Sequence, residues 1–122
     1  MWFITLTNNY QIIKIKKEVK QIKKEVKEIS LMQKLIEATI EEWGYDEVYP
    51  MLRLLDGESD FRKTAINPIS GACGLFQAWP CEKMQCDLKD EDCQIRWGIN
   101  YIKKRYKTPS KAYKFWLKNN WY

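Results

Sequence analysis

The fold of this chain depends on one stretch, Gly57–Pro80, which reads GESDFRKTAINPISGACGLFQAWP. It opens with a lone carboxylate, Glu58, at the end of an apolar segment. Asn67-Pro68 and Ser70-Gly71 follow, and these residue types supply the backbone conformations that tight turns need. The stretch then enters a short apolar run that holds one amide, Gln77. Closely spaced turns between short apolar segments predict a small β-hairpin beside Glu58.

The composition bounds the class of protein. The chain has 122 residues, which suits one domain with a modest core. A hydrophobic content of 45% and an aromatic content of 14% exclude a wholly disordered chain. No run approaches the roughly 20 apolar residues of a membrane-spanning helix, so we predict no membrane span. The first seven residues have no basic flank and no small-residue cleavage site, so no signal peptide is recognised.

Positive charge is concentrated near the C-terminus. Eight basic residues and no acidic residue follow Asp92. Such a surface can hold nucleic acid or another anionic polymer. Because lysines dominate and no nucleic-acid-binding motif accompanies them, we favour a solvated helix face and predict no nucleic-acid partner.

An amphipathic helix is predicted near the N-terminus. Its apolar residues follow one another in steps of 3, 4, 3, 4 and 3, the period of a coiled-coil seam: Ile12, Ile15, Val19, Ile22, Val26 and Ile29. A single helix cannot bury this stripe by itself. Either it packs on the rest of its own chain, or residues 12–29 mediate self-association or docking on an external partner. The β-branched side chains at both seam positions would favour three or more strands over two.

The apolar pattern becomes less regular before Trp43, and Gly44 is expected to end the helix. We therefore predict two parts. A coiled-coil-like helical attachment covers residues 1–40, and a separate domain covers residues 41–122.

A second, short helix is predicted to carry Glu58 at its C-terminal end. Asp46 is its expected N-cap, and Pro50 is expected in an early turn. Its buried stripe is expected to consist of Val48, Met51, Leu52 and Leu55. The C-terminal end of a helix disfavours negative charge, and apolar neighbours disfavour a carboxylate by desolvation. The pKa of Glu58 is therefore expected to be raised.

From Trp43 to Tyr122 the chain resembles a known family, on three motifs in order. They begin with Glu58-Ser59, continue with Asn67-Pro-Ile-Ser-Gly-Ala-Cys-Gly-Leu-Phe-Gln77, and end with Gln94-Ile-Arg-Trp-Gly-Ile-Asn-Tyr-Ile102. In these residues it is similar to lysozyme-like lytic transglycosylases of the soluble type, in the small variant of phage and actinobacterial wall proteins. The resemblance implies an α+β, mainly α, lysozyme-like domain with a small β-hairpin.

The resemblance implies a catalytic role for Glu58. In that family one glutamic acid protonates the leaving oxygen of the glycosidic bond. It then takes the proton from the muramyl 6-hydroxyl, which closes a 1,6-anhydro ring. Ordinary glycosidases use two carboxyl groups, and we find no convincing second carboxylate in the sequence. This favours a transglycosylase over a hydrolase.

The resemblance also implies substrate-binding residues: Ser59, Asn67, Gly74, Gln77 and Tyr101. Ser59 is equally compatible with an ordinary hydroxyl at a helix C-terminus. The Gln77 amide needs polar partners if it is buried in its apolar run, which favours a position in a cleft. Tyr101 is equally compatible with a core tyrosine.

Two cysteines depart from the family pattern: Cys73 stands where tyrosine is common, and Cys81 where glycine usually follows the proline. Together with Cys86 and Cys93 they make four cysteines within about twenty residues. Three pairings are open. We favour two disulfides, and therefore an oxidising compartment, over free thiols. A zinc site is the rival, but the spacings do not match paired zinc ligands and the chain has no histidine. We predict no metal and no cofactor.

Two further helices are predicted after the cysteines. The first opens with acidic residues around Lys89–Asp92 and runs to Tyr106. Its buried stripe is expected to be Ile95, Ile99, Ile102 and Tyr106. The last helix starts at Thr108-Pro109 and is expected to turn Ala112, Phe115 and Trp116 inward. The terminal aromatic residues are expected to pack on the core.

The function implied by the resemblance is cleavage of the β-1,4 bond between N-acetylmuramic acid and N-acetylglucosamine in peptidoglycan. Two alternatives stay open: a muramidase that uses water, and a non-catalytic wall-binding or virion structural module. We therefore expect the protein to act at the cell wall, outside the cell or on a virion. The external partner of residues 12–29 would then be a virion or wall protein.

Overall fold

The computed structural model describes the backbone of residues 2–122. The side chains of residues 5 and 7–122 are also described. The described chain is mainly helical, with four α-helices: α1 Trp2–Trp43, α2 Val48–Ser59, α3 Glu91–Arg105 and α4 Pro109–Asn119. Two 3-10 turns, Tyr45–Glu47 and Cys81–Met84, lie before α2 and α3. Within the described residues no helix is long and apolar enough to cross a membrane.

The chain divides into two compact units, one ending at Leu31 and one beginning at Met32. In the first unit every residue of the predicted seam is exposed. The division predicted after residue 40 stays a prediction, since α1 runs across that position without a break.

The second unit begins with the last turns of α1. Leu35 and Thr39 are fully buried, and the Thr39 hydroxyl donates to the Leu35 carbonyl at 2.7 Å. The helix ends where Gly44 takes a φ of 92°, a left-handed value that suits glycine, so the predicted stop is confirmed. The Trp43 indole then donates to the Lys107 carbonyl at 2.7 Å, which joins this end of α1 to the segment before α4.

Helix α2 carries Glu58 as its penultimate residue, as predicted. The predicted N-cap was wrong, because the cap position belongs to Glu47 and has no side-chain cap. The Glu47 carboxylate instead accepts from the backbone N–H and the hydroxyl of Ser110, at 2.7 and 3.0 Å, in the first turn of α4. Asp46 is exposed.

The buried stripe of α2 was predicted in part. Met51 and Leu55 are fully buried, but so is Leu54, whereas Leu52 and Val48 are only half-buried. The stripe is rotated because α2 packs on α4. At that contact the Trp116 ring lies against the backbone of Gly57, so close that a side-chain carbon on residue 57 would be 2.5 Å from it.

The expected β-hairpin does not form as regular strands in the described residues. Two isolated antiparallel bridges, Ile66 with Cys73 and Cys73 with Ala78, take its place. The reason is the density of turns, because Asn67–Gly71 and Gly74–Gln77 leave too few residues between them for a ladder. The Cys73–Ala78 bridge has both of its backbone hydrogen bonds, at 3.0 and 2.8 Å.

All four cysteines are in disulfides, Cys73–Cys81 and Cys86–Cys93. The disulfide prediction is therefore confirmed and the pairing is resolved among the three possibilities. No thiol is left to bind zinc, so that rival interpretation was wrong.

The predicted starts of α3 and α4 are confirmed. Asp90 caps α3 by accepting from the Cys93 N–H at 3.0 Å, and Thr108 caps α4 by accepting from the Lys111 N–H at 3.3 Å. Pro109 occupies the first turn of α4, where a missing N–H costs nothing.

The inward faces of α3 and α4 match the prediction in part. Ile95, Ile102 and Ala112 are buried, while four other predicted residues are half-buried: Ile99, Tyr106, Phe115 and Trp116. Gln94 and Gly98 are buried on α3 in addition. The ring of Phe76 packs directly on Gly98.

Candidate active site

A cleft of about 680 Å³ opens in the second unit. It is lined by one acidic residue, a set of aromatic rings, two cations and the turns that follow α2: Glu58, Asn67, Ser70, Ala72, Phe76, Gln77, Ala78, Trp79, Pro80, Lys83, Trp97, Tyr101, Arg105, Asn120, Trp121 and Tyr122. The cleft therefore joins four parts of the chain: the end of α2, the turns of residues 60–80 (the turn segment), α3, and the residues after α4.

Glu58 has the electrostatic setting of a proton donor. Its side chain is half-buried, and its Oε1 is buried with no hydrogen-bond partner among the described residues. Burial raises the pKa of Glu58 to about 7, although hydrogen bonding to the Trp116 side chain opposes the shift. A carboxyl group with this pKa is protonated in a large fraction of molecules near neutral pH.

No other Asp or Glu is among the residues that line this cleft in the described part of the chain. The neighbouring carboxylates point elsewhere. Asp56 is exposed and pairs with Arg53 at 3.8 Å, and Asp60 is exposed in the left-handed cap of α2. The arrangement can thus supply one acid–base group and leaves no partner for a two-carboxylate mechanism.

Aromatic side chains form one wall of the cleft. Trp97 and Tyr101, one turn apart on α3, stack with their ring centroids 5.0 Å apart. The Tyr101 hydroxyl donates to the Tyr122 carbonyl at 3.2 Å and accepts from Arg105 at 3.0 Å. The Tyr122 hydroxyl donates to the Phe76 carbonyl at 2.8 Å. These bonds fix the segment after α4 against α3 and against the turn segment.

The pKa of Tyr122 is affected by burial and by the charge of Glu58. Burial raises its pKa well above the usual value, and the charge of Glu58 raises it further. Tyr122 is therefore a neutral hydrogen-bond donor at physiological pH. The prediction that the terminal aromatic residues pack on the core holds for Tyr122, but Trp121 is 54% exposed.

Two predicted binding residues line the cleft within the turn segment. The Asn67 Oδ1 accepts from the N–H groups of Ile69 and Ser70, at 2.9 and 3.2 Å, so it shapes the turn. The Gln77 Nε2 donates to the carbonyls of Gly74 and Ala65, at 3.0 and 3.3 Å. The backbone thus supplies the polar partners that the Gln77 amide needs, and it holds the side chain at the cleft.

The other predicted binding residues fall into two groups. Tyr101 lines the same cleft as Glu58. Ser59 and Gly74 are buried and are not among the lining residues. The Ser59 hydroxyl donates to the Leu55 carbonyl at 3.3 Å, as an ordinary hydroxyl at a helix end does. Gly74 has a φ of 78°, and a side-chain carbon there would collide with Gln94.

Gln94 is a residue whose role sequence reasoning missed. It is fully buried on α3, and its Oε1 accepts from the Leu75 N–H at 2.8 Å. Its Nε2 donates to the carbonyls of Lys63 and Leu88, at 3.0 and 2.9 Å. One amide thus ties three loop segments to α3. Two signals in the sequence mark it: Gln94 opens the third motif of the resemblance, and it is a polar residue on the apolar side of a predicted helix.

The cleft also carries positive charge. The Lys83 Nζ lies 5.2 Å from the centroid of the Tyr101 ring, and the Arg105 guanidinium lies 5.9 Å from it. Trp79 also lines the cleft: its indole donates to the Ser70 carbonyl at 3.1 Å, and its ring is 66% exposed.

Nothing in the described residues forms a metal centre, since no group of three His, Cys, Asp or Glu side chains could hold an ion. Comparison with protein-family models, with curated proteins and with solved structures finds no match to this chain.

Proposed function

We propose that this chain is a peptidoglycan lytic transglycosylase, with a lysozyme-like domain and with Glu58 as its single acid–base residue. The observation that carries the proposal is a half-buried carboxyl with a pKa near 7 as the one acidic group in an aromatic cleft. The resemblance of the sequence motifs to that family supports it. The cations Lys83 and Arg105 fit a glycan whose muramyl groups bear anionic peptides.

In the proposed reaction, protonated Glu58 donates its proton to the glycosidic oxygen as the bond from that oxygen to C1 breaks. The new carboxylate then accepts the proton of the muramyl 6-hydroxyl while that hydroxyl oxygen bonds to C1. A 1,6-anhydromuramyl end and a free N-acetylglucosamine hydroxyl result, and Glu58 is protonated again. Exposed rings such as Trp79 and Trp121 are suited to stack on sugar faces.

The test is digestion of purified peptidoglycan by the full chain, followed by mass spectrometry of the fragments. We expect the fragments to carry 1,6-anhydromuramyl ends. Fragments that are heavier by one water would instead identify a muramidase. The two disulfides fit action in an oxidising compartment, where the cell wall and virions are found.

Glu58→Gln should lower the rate of peptidoglycan cleavage by about 10²- to 10⁴-fold, because the amide can neither donate nor retake the proton. Asp56→Asn is the matched control, since it changes a nearby exposed carboxylate on the same helix. Equal activity of parent and Glu58→Gln would rule out this site. Peptidoglycan binding without cleavage by the parent would favour the non-catalytic wall-binding module.

A further inference from the structure

The first unit presents an exposed apolar stripe along α1. The six seam residues are exposed by between 43% at Val19 and 66% at Ile29. Six β-branched residues in one line are an unusual surface for a soluble helix, because charged groups normally occupy such positions. A helix of this kind gains most of its stability from packing along its apolar face.

The geometry of the stripe fits other helices of the same kind. Its 3.5-residue period fills only two positions in seven, which is the narrow seam of a coiled coil. A helix that lies on a membrane surface has a broader apolar face. Ile15, Ile22 and Ile29 occupy the second seam position, where leucine would favour a dimer. β-branched residues at both positions favour three or four strands instead.

The charges beside the seam determine the direction of the strands. Glu18 and Glu25 flank it on one side, and Lys16 and Lys23 flank it on the other. In a parallel coiled coil these two sides meet, so Glu18 of one strand faces Lys23 of the next. In an antiparallel coiled coil, each side of the helix faces the same side of its neighbour. Glutamate would then face glutamate and lysine would face lysine, and like charges repel.

We infer that residues 12–29 join further copies of this chain in a parallel coiled coil of three or four strands. The partner is a copy of the same chain because each strand carries both the glutamates and the lysines that pair across the interface. The inference is independent of the proposed enzymatic function. Such an oligomer would carry three or four copies of any ligand-binding site in the second unit, and linked copies bind a polymer with avidity.

Sedimentation equilibrium of the full chain tests the assembly. The parent should show a mass of three or four chains at micromolar concentration. Ile15→Asp should raise the dissociation constant by roughly 100-fold or more, because it places a carboxylate from every strand in one core layer. Ile13→Asp is the matched control. Ile13 is also 55% exposed on α1 but lies outside the seam, so this variant should assemble like the parent.

Charge exchange tests the direction. Glu18→Lys and Lys23→Glu should each weaken the assembly, and the double variant should restore it. Both single variants would strengthen an antiparallel coil, so that result would overturn the parallel arrangement. Circular dichroism shows whether each variant keeps its helix content.

A monomeric parent would overturn the inference. The monomer should then be tested against vesicles of anionic phosphatidylglycerol. Cosedimentation that Ile15→Asp abolishes would assign the stripe to a membrane surface. Peptidoglycan cleavage is measured separately, so a monomeric active enzyme would contradict this inference without touching the proposed function.

Discussion

At the scale of single residues, Glu58 links the stability of the protein to pH. Because burial raises its pKa to about 7, the folded state holds this proton more tightly than the unfolded state does. The resulting stabilisation is fully present below the unfolded pKa, near 4.5, and it is lost as pH rises through 7. The same proton is the one that the proposed reaction uses.

Glu58→Gln should therefore change stability in a pH-dependent way. The amide stays neutral, so the variant should gain thermal stability relative to the parent between pH 5 and pH 8. We expect the melting temperature of the variant, relative to that of the parent, to rise by a few degrees over this pH range. A change of about 1 kcal/mol in the free energy of unfolding shifts the melting temperature of a domain of this size by that amount. Parallel melting curves over this range would contradict a raised pKa at Glu58. Asp56→Asn, at an exposed carboxylate on the same helix, is the control.

Gln94 should be important for stability in a way that its sequence position does not reveal. Gln94→Leu leaves the Leu75 N–H and the carbonyls of Lys63 and Leu88 without their partner. The expected cost is on the order of 2–4 kcal/mol in the free energy of unfolding. Denaturant titration measures it, with Gln33→Leu as a control at an exposed helix position. Equal unfolding midpoints for the two variants would contradict this role.

At the scale of elements, the two disulfides hold the segment between α2 and α3. Each closes a short loop, with sequence separations of 8 and 7 residues. We expect peptide mapping without reduction to recover the Cys73–Cys81 and Cys86–Cys93 pairs. Reduction should lower the free energy of unfolding by about 2–3 kcal/mol for each bond. Crossed pairs, or freely alkylated thiols in the native protein, would contradict this arrangement.

Helix ends could be predicted because their signals are local. Gly44, Asp90 and Thr108-Pro109 act through their own backbone and the next turn, so each end lies where the sequence indicates. Glu47 shows the limit of this approach. Its carboxylate serves a helix more than sixty residues away, and no local pattern reveals such a partner.

The site shows the same division. The position of Glu58 at the end of α2 could be predicted from an apolar helix followed by turns. The tertiary arrangement could not, because it depends on which loop reaches which helix. Ser59 and Gly74 turn into the interior, while Trp79 and Lys83 line the cleft without any sequence signal.

At the scale of the whole molecule, the two units should have separate functions, with self-association in the first unit and cleavage in the second. A shortened chain that begins at Leu31 keeps every residue that lines the cleft. It also keeps Lys34, whose ion pairs with Glu91 and Asp92 lie within the second unit. We expect it to cleave soluble muropeptide fragments at a rate close to that of the full chain, and to lose self-association.

Turnover and light scattering on both chain lengths check this expectation. Retained folding with lost assembly would assign self-association to the N-terminal helix. A shortened chain that unfolds would instead show that the second unit needs that helix for its own stability.

Because Trp116 contacts the end of α2, tryptophan fluorescence should report the ionisation of Glu58. Indole emission responds to a charge that appears beside the ring, and Trp116 lies against Gly57 and interacts with Glu58. The pH-dependent part of the protein's tryptophan fluorescence should therefore follow a titration curve with a midpoint near pH 7 in the free protein. The curve should vanish in Glu58→Gln. A glycan that covers the carboxyl group should displace the midpoint, so ligand occupancy becomes measurable without cleavage, label or cell wall.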